Sequence, residues 1–308
     1  MSSNKHRLIT RSDFDGLVCA VLLKEIGAID EVTFVHPKDM QDGKIKVTEN
    51  DILSNLPFVP SCFMAFDHHV SETERIVGDY PNYINNPDAP SAARVVYNYY
   101  GGPARFLNIS DELMAAVDKA DSANYTLEDI LYPSDWVLLS FLLDSRTGLG
   151  RFREFKISNY QLMMNMVDYF RDHAVAEILS LPDVKERVDL YNEHTSKATE
   201  QIKRCAKLEG DIVELDFKNE PIIYAANRFL VYALFPTAAV SIHSVHNNTK
   251  DRIVFAVGKS ILNRRLKQSI GRLMLELGGG GHDGAGTCQI DFADAETTLS
   301  YIKTRLRD

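Results

Sequence analysis

Disulfide chemistry has little to work with in this chain: its four cysteines, Cys19, Cys62, Cys205 and Cys288, are scattered through 308 residues without paired spacing. They read as reduced thiols of a cytosolic protein, and they exclude a disulfide scaffold and a paired-cysteine zinc site. Long apolar runs are missing as well. The stretch from Leu17 to Leu23 stops at Lys24, far too short to span a bilayer, and MSSNKHRLITRSD lacks the apolar core of a secretory leader. Positive charge is the third scarcity, with 34 Lys and Arg against 43 Asp and Glu and a net charge of −9. Proteins that track long nucleic acid neutralise many phosphates with basic side chains, so that class is disfavoured. A small phosphorylated ligand needs only a local positive pocket and stays open. Internal repeats and low-complexity tails are also lacking. The expectation is a soluble cytoplasmic protein that acts on a small phosphorylated partner, with no membrane and no long nucleic acid; a homodimer is compatible with this.

The length exceeds one typical core and fits two domains. HRLIT, EVTFVHP and SCFMAFD read as strands, with DILSNLP a weaker one between them. GLVCAVLLKEIG reads as a helix closed by Gly27, and PSAARVVYNYYGG as a helix opened by Pro90 or Ser91. This succession predicts an α/β domain with a mostly parallel sheet. Ser110 to Leu208 reads as almost wholly helical, ending in a charged connecting helix. Beyond Gly210, DIVELDF, PIIYAAN, AAVSIHSV and RIVFAVG read as strands and SILNRRLKQSIGRLMLELG as a helix. The fold class is therefore α/β: a mostly parallel N-terminal domain with a helical extension (1–185), a connecting helix (186–209) and a smaller C-terminal α/β domain (210–308). The active-site cleft is expected between the two domains.

Chemistry concentrates in TRSDFDGL, where Asp13 and Asp15 stand one residue apart beside Arg11, at the end of one strand. One aspartate suffices to cap the following helix. Two in the same loop repel each other unless a cation lies between them. AFDHHVSE repeats the pattern, with Asp67, His68 and His69 at the end of an apolar strand, where parallel sheets bind their ligands. Carboxylate with imidazole suits manganese or a similar divalent ion better than calcium. Asp118 and Asp121, at i,i+3 spacing on a helix, can face one direction.

These motifs resemble the DHH phosphoesterase superfamily. Asp67-His68-His69 matches its name-giving triplet, SDFDG the end of its first motif, and ELGGGGHDGAGTCQ the glycine-rich signature of its associated C-terminal domain. The resemblance covers nearly the whole chain and implies a hydrolase of phosphomonoesters, phosphodiesters or phosphoanhydrides that uses Mn²⁺ or Mg²⁺. Carried over residue by residue, the metal ligands are Asp13, Asp15, Asn55, His68 and Asp121. Two positions depart from the pattern. Arg11 stands where the family has a metal-binding histidine, and a guanidinium cannot ligate. Asn55 aligns with an aspartate that bridges two metals, with Asp51 close by. The resemblance thus implies one ion on Asp15, His68 and Asp121, with the second site weak or empty.

Arg11 then stands where the missing ion's charge would be, pairs with Asp13 and faces a substrate phosphate; the alternative is a purely structural ion pair. His69 is assigned to the phosphate or the leaving oxygen. Four consecutive glycines exceed what a helix cap requires, so Gly279, Gly280 and Gly281 are assigned to a backbone nest for phosphate, with His282 at its edge and Arg264 nearby. In DSRTGLGRFR, Arg146, Arg151 and Arg153 read either as a salt-bridged surface loop or as a phosphate contact. The expected reaction is in-line attack of activated water on a nucleotide, short oligonucleotide or polyphosphate. The alternative is a non-catalytic nucleotide- or phosphate-binding module with a degraded metal site.

Overall fold

In the computed structural model the described residues are 5–69 and 75–307. The opening MSSN read for a leader and the VSE that follows the histidine pair lie outside them. The chain forms two compact units. One takes the residues up to Asn124 with Pro133–Asp189, the other Tyr125–Tyr132 with the chain from Leu190 onward.

The first unit is built on five strands, β1 (His6–Arg11), β2 (Ile29–Val35), β3 (Asp51–Ser54), β4 (Met64–Asp67) and β5 (Tyr83–Asn85). They pair in the order β2-β1-β3-β4-β5, and every pairing is parallel. Leu8, Ile9, Ile52, Leu53, Ala65 and Phe66 are at most 1% exposed, because a parallel sheet is covered on both faces. DILS, the weakest strand in the sequence, occupies the middle of the sheet, its four residues all buried.

Helix α1 (Phe14–Glu25) is buried from Phe14 to Leu23. FDGLVCAVLL is apolar around almost its whole circumference, which suits a helix enclosed on all sides. The first unit continues through α2 (Pro37–Gln41), α3 (Ala92–Tyr99) and α4 (Asp111–Asp121). After α5 (Leu127–Leu131), which belongs to the second unit, come α6 (Asp135–Leu143), α7 (Asn159–Asp172), α8 (Val175–Ser180) and the long α9 (Pro182–Cys205). Helix α1 packs against β1, α3, α4 and α7. Helix α3 starts at Ser91, whose hydroxyl accepts from Arg94 N at 3.0 Å, as the sequence signal indicated.

The second unit carries a six-stranded mixed sheet in the order β10-β11-β9-β8-β7-β6. Its elements are β6 (Ala206–Glu209), β7 (Ile212–Asp216), α10 (Leu230–Leu234), β8 (Val240–His246), β9 (Arg252–Lys259), α11 (Ile270–Glu276), β10 (Gly280–His282), β11 (Ala285–Asp291) and α12 (Ala295–Arg307). Ile242, Phe255, Val257, Met274 and Ile302 lie at the centre of its core.

Three segments differ from the sequence reading. The connecting helix stops at Cys205, and Ala206–Glu209 pairs antiparallel with β7 instead. PIIYAAN forms no strand, because its amides bond to side chains of α9: Tyr224 N donates to Gln201 Oε1 and Ala225 N to His194 Nδ1, each at 3.1 Å. The helix expected from Ser260 begins only at Ile270. Ahead of it the Ser260 hydroxyl accepts from Leu262 N and Asn263 N and turns the chain.

Candidate metal centre

The sheet order places β2 and β3 on opposite sides of β1, so the connection leaving β1 runs to β2 on one side and the connection leaving the neighbouring β3 runs to β4 on the other. Open α/β sheets bind ligands at such a switch point. The loop after β1 supplies Asp13 and the first turn of α1 supplies Asp15, the residue after β3 is Asn55, and His68 and His69 follow β4. Asp121 is the last residue of α4.

Asp15, 2% exposed, is fixed by a helix far along the chain. Its Oδ2 accepts from Ala92 N at 3.0 Å and its Oδ1 from Ala93 N at 2.8 Å, so it caps the positive end of α3. Burial, with the negative charge of Asp121, still lifts its pKa to about 8. Asp13 caps α1 through Gly16 N at 2.9 Å. It also forms an ion pair with Arg11 Nε at 2.8 Å and accepts from Asn55 Nδ2 at 3.2 Å. Burial holds its carboxyl above the ordinary value, partly offset by Arg11. Asn55 reaches Asp13 from a left-handed backbone with φ of 54°, a conformation asparagine tolerates better than most residues. Its Oδ1 is buried without a hydrogen-bond partner.

His68 Nδ1 lies 3.2 Å from Ala89 O, and a carbonyl only accepts, so this nitrogen carries a proton. The opposite nitrogen, Nε2, lies 3.0 Å from Asp121 Oδ2 and 3.9 Å from Asp15 Oδ2. It is buried and makes no well-aligned hydrogen bond with either. Burial works against charge on His68, yet its contact with Asp121 and the Asp121 and Asp15 charges lift its pKa to about 9. Burial pushes Asp121 upward, but His68 more than compensates and brings it below the ordinary carboxylate value.

One ligand atom each from Asp15, His68 and Asp121 lies within 4.8 Å of the others. Two carboxylates and an imidazole turned on one point, with the second imidazole nitrogen tied to a carbonyl, form a donor set that fits a divalent cation.

Asp67 orders the histidine pair: its Oδ1 accepts from His68 N at 2.8 Å and from His69 Nδ1 at 2.7 Å. Burial lowers the His69 pKa, but the Asp67 hydrogen bond and charge leave it raised.

The two helical aspartates part company. Asp118 takes Ser91 Oγ at 2.7 Å and Arg94 Nε at 2.9 Å and secures the start of α3, while Asp121 alone faces His68. Asp51, the neighbour of Asn55 in the alignment, is held at the amino end of β3 by Arg7 at 2.7 Å and by Thr48. Arg146 pairs with Asp144 at 2.7 Å, and its charge also acts on Asp13 and Asp121. The sequence left that arginine open between surface pair and phosphate contact.

Gly279, Gly280, Gly281, His282 and Arg264 belong to the second unit. Gly278 alone of the run has positive φ, so Gly279–Gly281 is extended and not a nest. A Cβ on Gly279 would meet Thr287 O at 2.0 Å and one on Gly281 would meet Ala285 O at 2.2 Å. Close strand packing thus requires those two glycines. Arg264 lies in the turn before α11, its Nε donating to Ile261 O at 3.0 Å.

Sequence reasoning did not find the acceptor carbonyl of Ala89 or the amides of Ala92 and Ala93. Backbone groups leave no residue-type signal beyond the helix start at Pro90-Ser91.

A parallel 2-1-3-4-5 sheet with Asp-His-His at the end of β4 and aspartates after β1 is a DHH arrangement, and the chain belongs to the DHH phosphoesterase superfamily. It is 52% identical to the pGpG-specific phosphodiesterase PggH from Vibrio cholerae, with a TM-score of 0.86 over 98% of this chain and 99% of that one. The fold is shared with RecJ in complex with Mn²⁺ from Thermus thermophilus (13% identity, TM-score 0.51, 98% of this chain and 52% of that one). It is also shared with CDC45 from Entamoeba histolytica (9% identity, TM-score 0.55, 99% and 96%). No family model and no curated protein sequence matches the chain.

Proposed function

We propose that this protein is a Mn²⁺-dependent phosphodiesterase that cleaves a dinucleotide or similarly short oligonucleotide. The observation that carries the reading is His68 Nε2, buried without a well-aligned hydrogen bond and facing carboxylate oxygens of Asp121 at 3.0 Å and Asp15 at 3.9 Å. The PggH relative is a pGpG-specific phosphodiesterase, which supports a dinucleotide substrate. The Mn²⁺ of the RecJ structure supports the choice of metal.

Asp15, His68 and Asp121 would hold one ion, with the Asn55 carbonyl beside them. When bound, that ion supplies charge neutralisation at the phosphate and acidifies water. Asp13 is already ion-paired with Arg11 and accepts from Asn55 and Gly16, which leaves it poorly placed to serve a second ion. Arg11 lies beside the phosphate position, where a guanidinium stabilises developing charge. His69, with Nδ1 committed to Asp67, turns Nε2 to the phosphate and passes a proton to the leaving oxygen.

The test is hydrolysis of pGpG with added Mn²⁺ by the wild-type protein and by His68→Ala and Asp15→Asn. Turnover that falls at least a hundredfold in both variants is expected, and unchanged turnover overturns the metal role. The saturation of Asp13 favours one rival, a nucleotide-binding module without turnover. Tight pGpG binding by the wild-type protein with no cleavage at saturating Mn²⁺ establishes that rival.

A further inference from the structure

A cavity of about 140 Å³ opens within the first unit. Its link to the metal centre is Ser12, a wall residue that stands in the chain between Arg11 and Asp13 in the acidic loop. Leu149 and Met163 give it apolar walls, and Tyr160 adds a ring that is 49% exposed. An apolar protein cavity of roughly 150 Å³ accommodates benzene, so the space suits one aromatic ring, with the open side accepting the remainder of a larger one.

Polar groups at the wall are held in fixed directions. Asn159 Oδ1 accepts from Arg187 Nε at 3.2 Å and Nη2 at 3.0 Å. Arg187 is itself 1% exposed and locked by the carbonyls of Asp183 and Ile157 and by Glu186. A guanidinium only donates, so Asn159 must direct its oxygen to Arg187 and its Nδ2 donor the other way. That Nδ2 lies 3.3 Å from a Cβ placed on Gly150, which is also part of the cavity wall. Asp144, another wall residue, accepts from Arg146 N at 2.9 Å and Nε at 2.7 Å. The cavity thus combines apolar walls, an aromatic face and a fixed donor, and one of its wall residues, Asp144, holds the Arg146 cation.

We propose that this cavity receives a nucleobase of the substrate adjacent to the scissile phosphate. Tyr160 stacks on the base, Asn159 Nδ2 donates to a ring nitrogen or carbonyl oxygen, and Arg146 meets the neighbouring phosphate. The inference rests on the phosphodiesterase reading above and assigns its substrate specificity to the first unit. Base–aromatic stacking and a single directed donor are a frequent combination in recognition of unpaired bases.

Three substrates test it: pGpG, and two analogues in which one base or the other is replaced by hydrogen. Removing the base that occupies the cavity should lower kcat/KM at least tenfold in the wild-type protein. Met163→Trp, which fills the cavity, and Tyr160→Ala, a surface change with little folding risk, should each raise KM for pGpG about tenfold. Both should leave kcat within twofold and leave the corresponding abasic substrate unaffected, with thermal melting confirming the fold. Turnover of all three substrates with an unchanged base preference in both variants overturns the pocket alone. No hydrolysis of any substrate by the wild-type protein at saturating Mn²⁺ overturns the phosphodiesterase reading and this inference with it.

Discussion

Asp13 and Asp15, one residue apart, answer to different partners. Asp13 is ion-paired with Arg11 and accepts from Gly16 and Asn55, whereas Asp15 is tied to the amides of Ala92 and Ala93 and turns its Oδ2 toward His68. The sequence made the pair legible as a charge problem and Arg11 legible as part of its answer. It did not reveal the amides, which come from a helix more than seventy residues away. The consequence for metal count is testable. The wild-type protein should bind one Mn²⁺ per chain by elemental analysis. Arg11→His combined with Asn55→Asp removes both donors, restores two ligands and should raise the count to two; a count that stays at one shows that Arg11 and Asn55 do not limit the site. Proton linkage gives a second test. With pKa values of about 9 for His68 and about 8 for Asp15, both groups hold protons at pH 7 in the free protein. An ion displaces them, so apparent Mn²⁺ affinity should rise as pH rises from 6 to 8 and flatten above about 9. Calorimetry at pH 7 in buffers of different ionisation enthalpy should register release of at least one proton per ion, and a buffer-independent heat contradicts the assigned ligands.

The contact between β1 and α1 decides where the acidic loop points. A Cβ on Gly16 would lie 2.1 Å from Arg11 O and 2.6 Å from Thr10 Oγ1, so only glycine lets the first turn of α1 sit directly over the end of β1. The glycine after Asp15 was visible in the sequence, but its steric cause appears only once helix and strand are seen together. Gly16→Ala should lift α1 away from the strand, cost about 1–3 kcal/mol by overpacking, and weaken Mn²⁺ binding at least tenfold. A thermal melt with a metal titration separates the two effects: destabilisation with unchanged metal affinity shows that the loop does not depend on this contact. The same logic revises the glycine run. Gly279 and Gly281 are needed where β10 packs against β11, a demand that spacing along one strand cannot express. DILS was faint for a similar reason. Four buried residues in a parallel sheet show no alternation, and the buried Asp51 that binds Arg7 breaks the apolar signal.

At the scale of the whole molecule, the change of character near Gly210 marks where the second sheet is read in the sequence, whereas the two compact units divide at Asp189 and Leu190, inside α9. The excursion of Tyr125–Tyr132 into the second unit was not legible. It depends on the buried Asn227, whose Nδ2 donates to Ile130 O and to the Tyr191 hydroxyl, each at 3.0 Å, and no sequence pattern links those three positions. The net charge of −9 sets a final expectation about substrate length. Each additional nucleotide adds a phosphate charge, and a long strand gains affinity only where basic side chains neutralise it along its path. The cations identified around the first-unit site, Arg11 and Arg146, are already paired with Asp13 and Asp144. They offer a local positive field for one or two phosphates and little beyond it. At physiological salt, kcat/KM should therefore fall at least tenfold from a dinucleotide to a heptanucleotide of the same base. Lower salt should widen the gap, because repulsion between the acidic protein and the longer strand is then less screened. Steady-state rates across a two-to-seven series at two ionic strengths check both statements. A rate that climbs with length, or climbs further as salt is removed, would mean that a basic track exists beyond the site and that the short-substrate assignment is wrong.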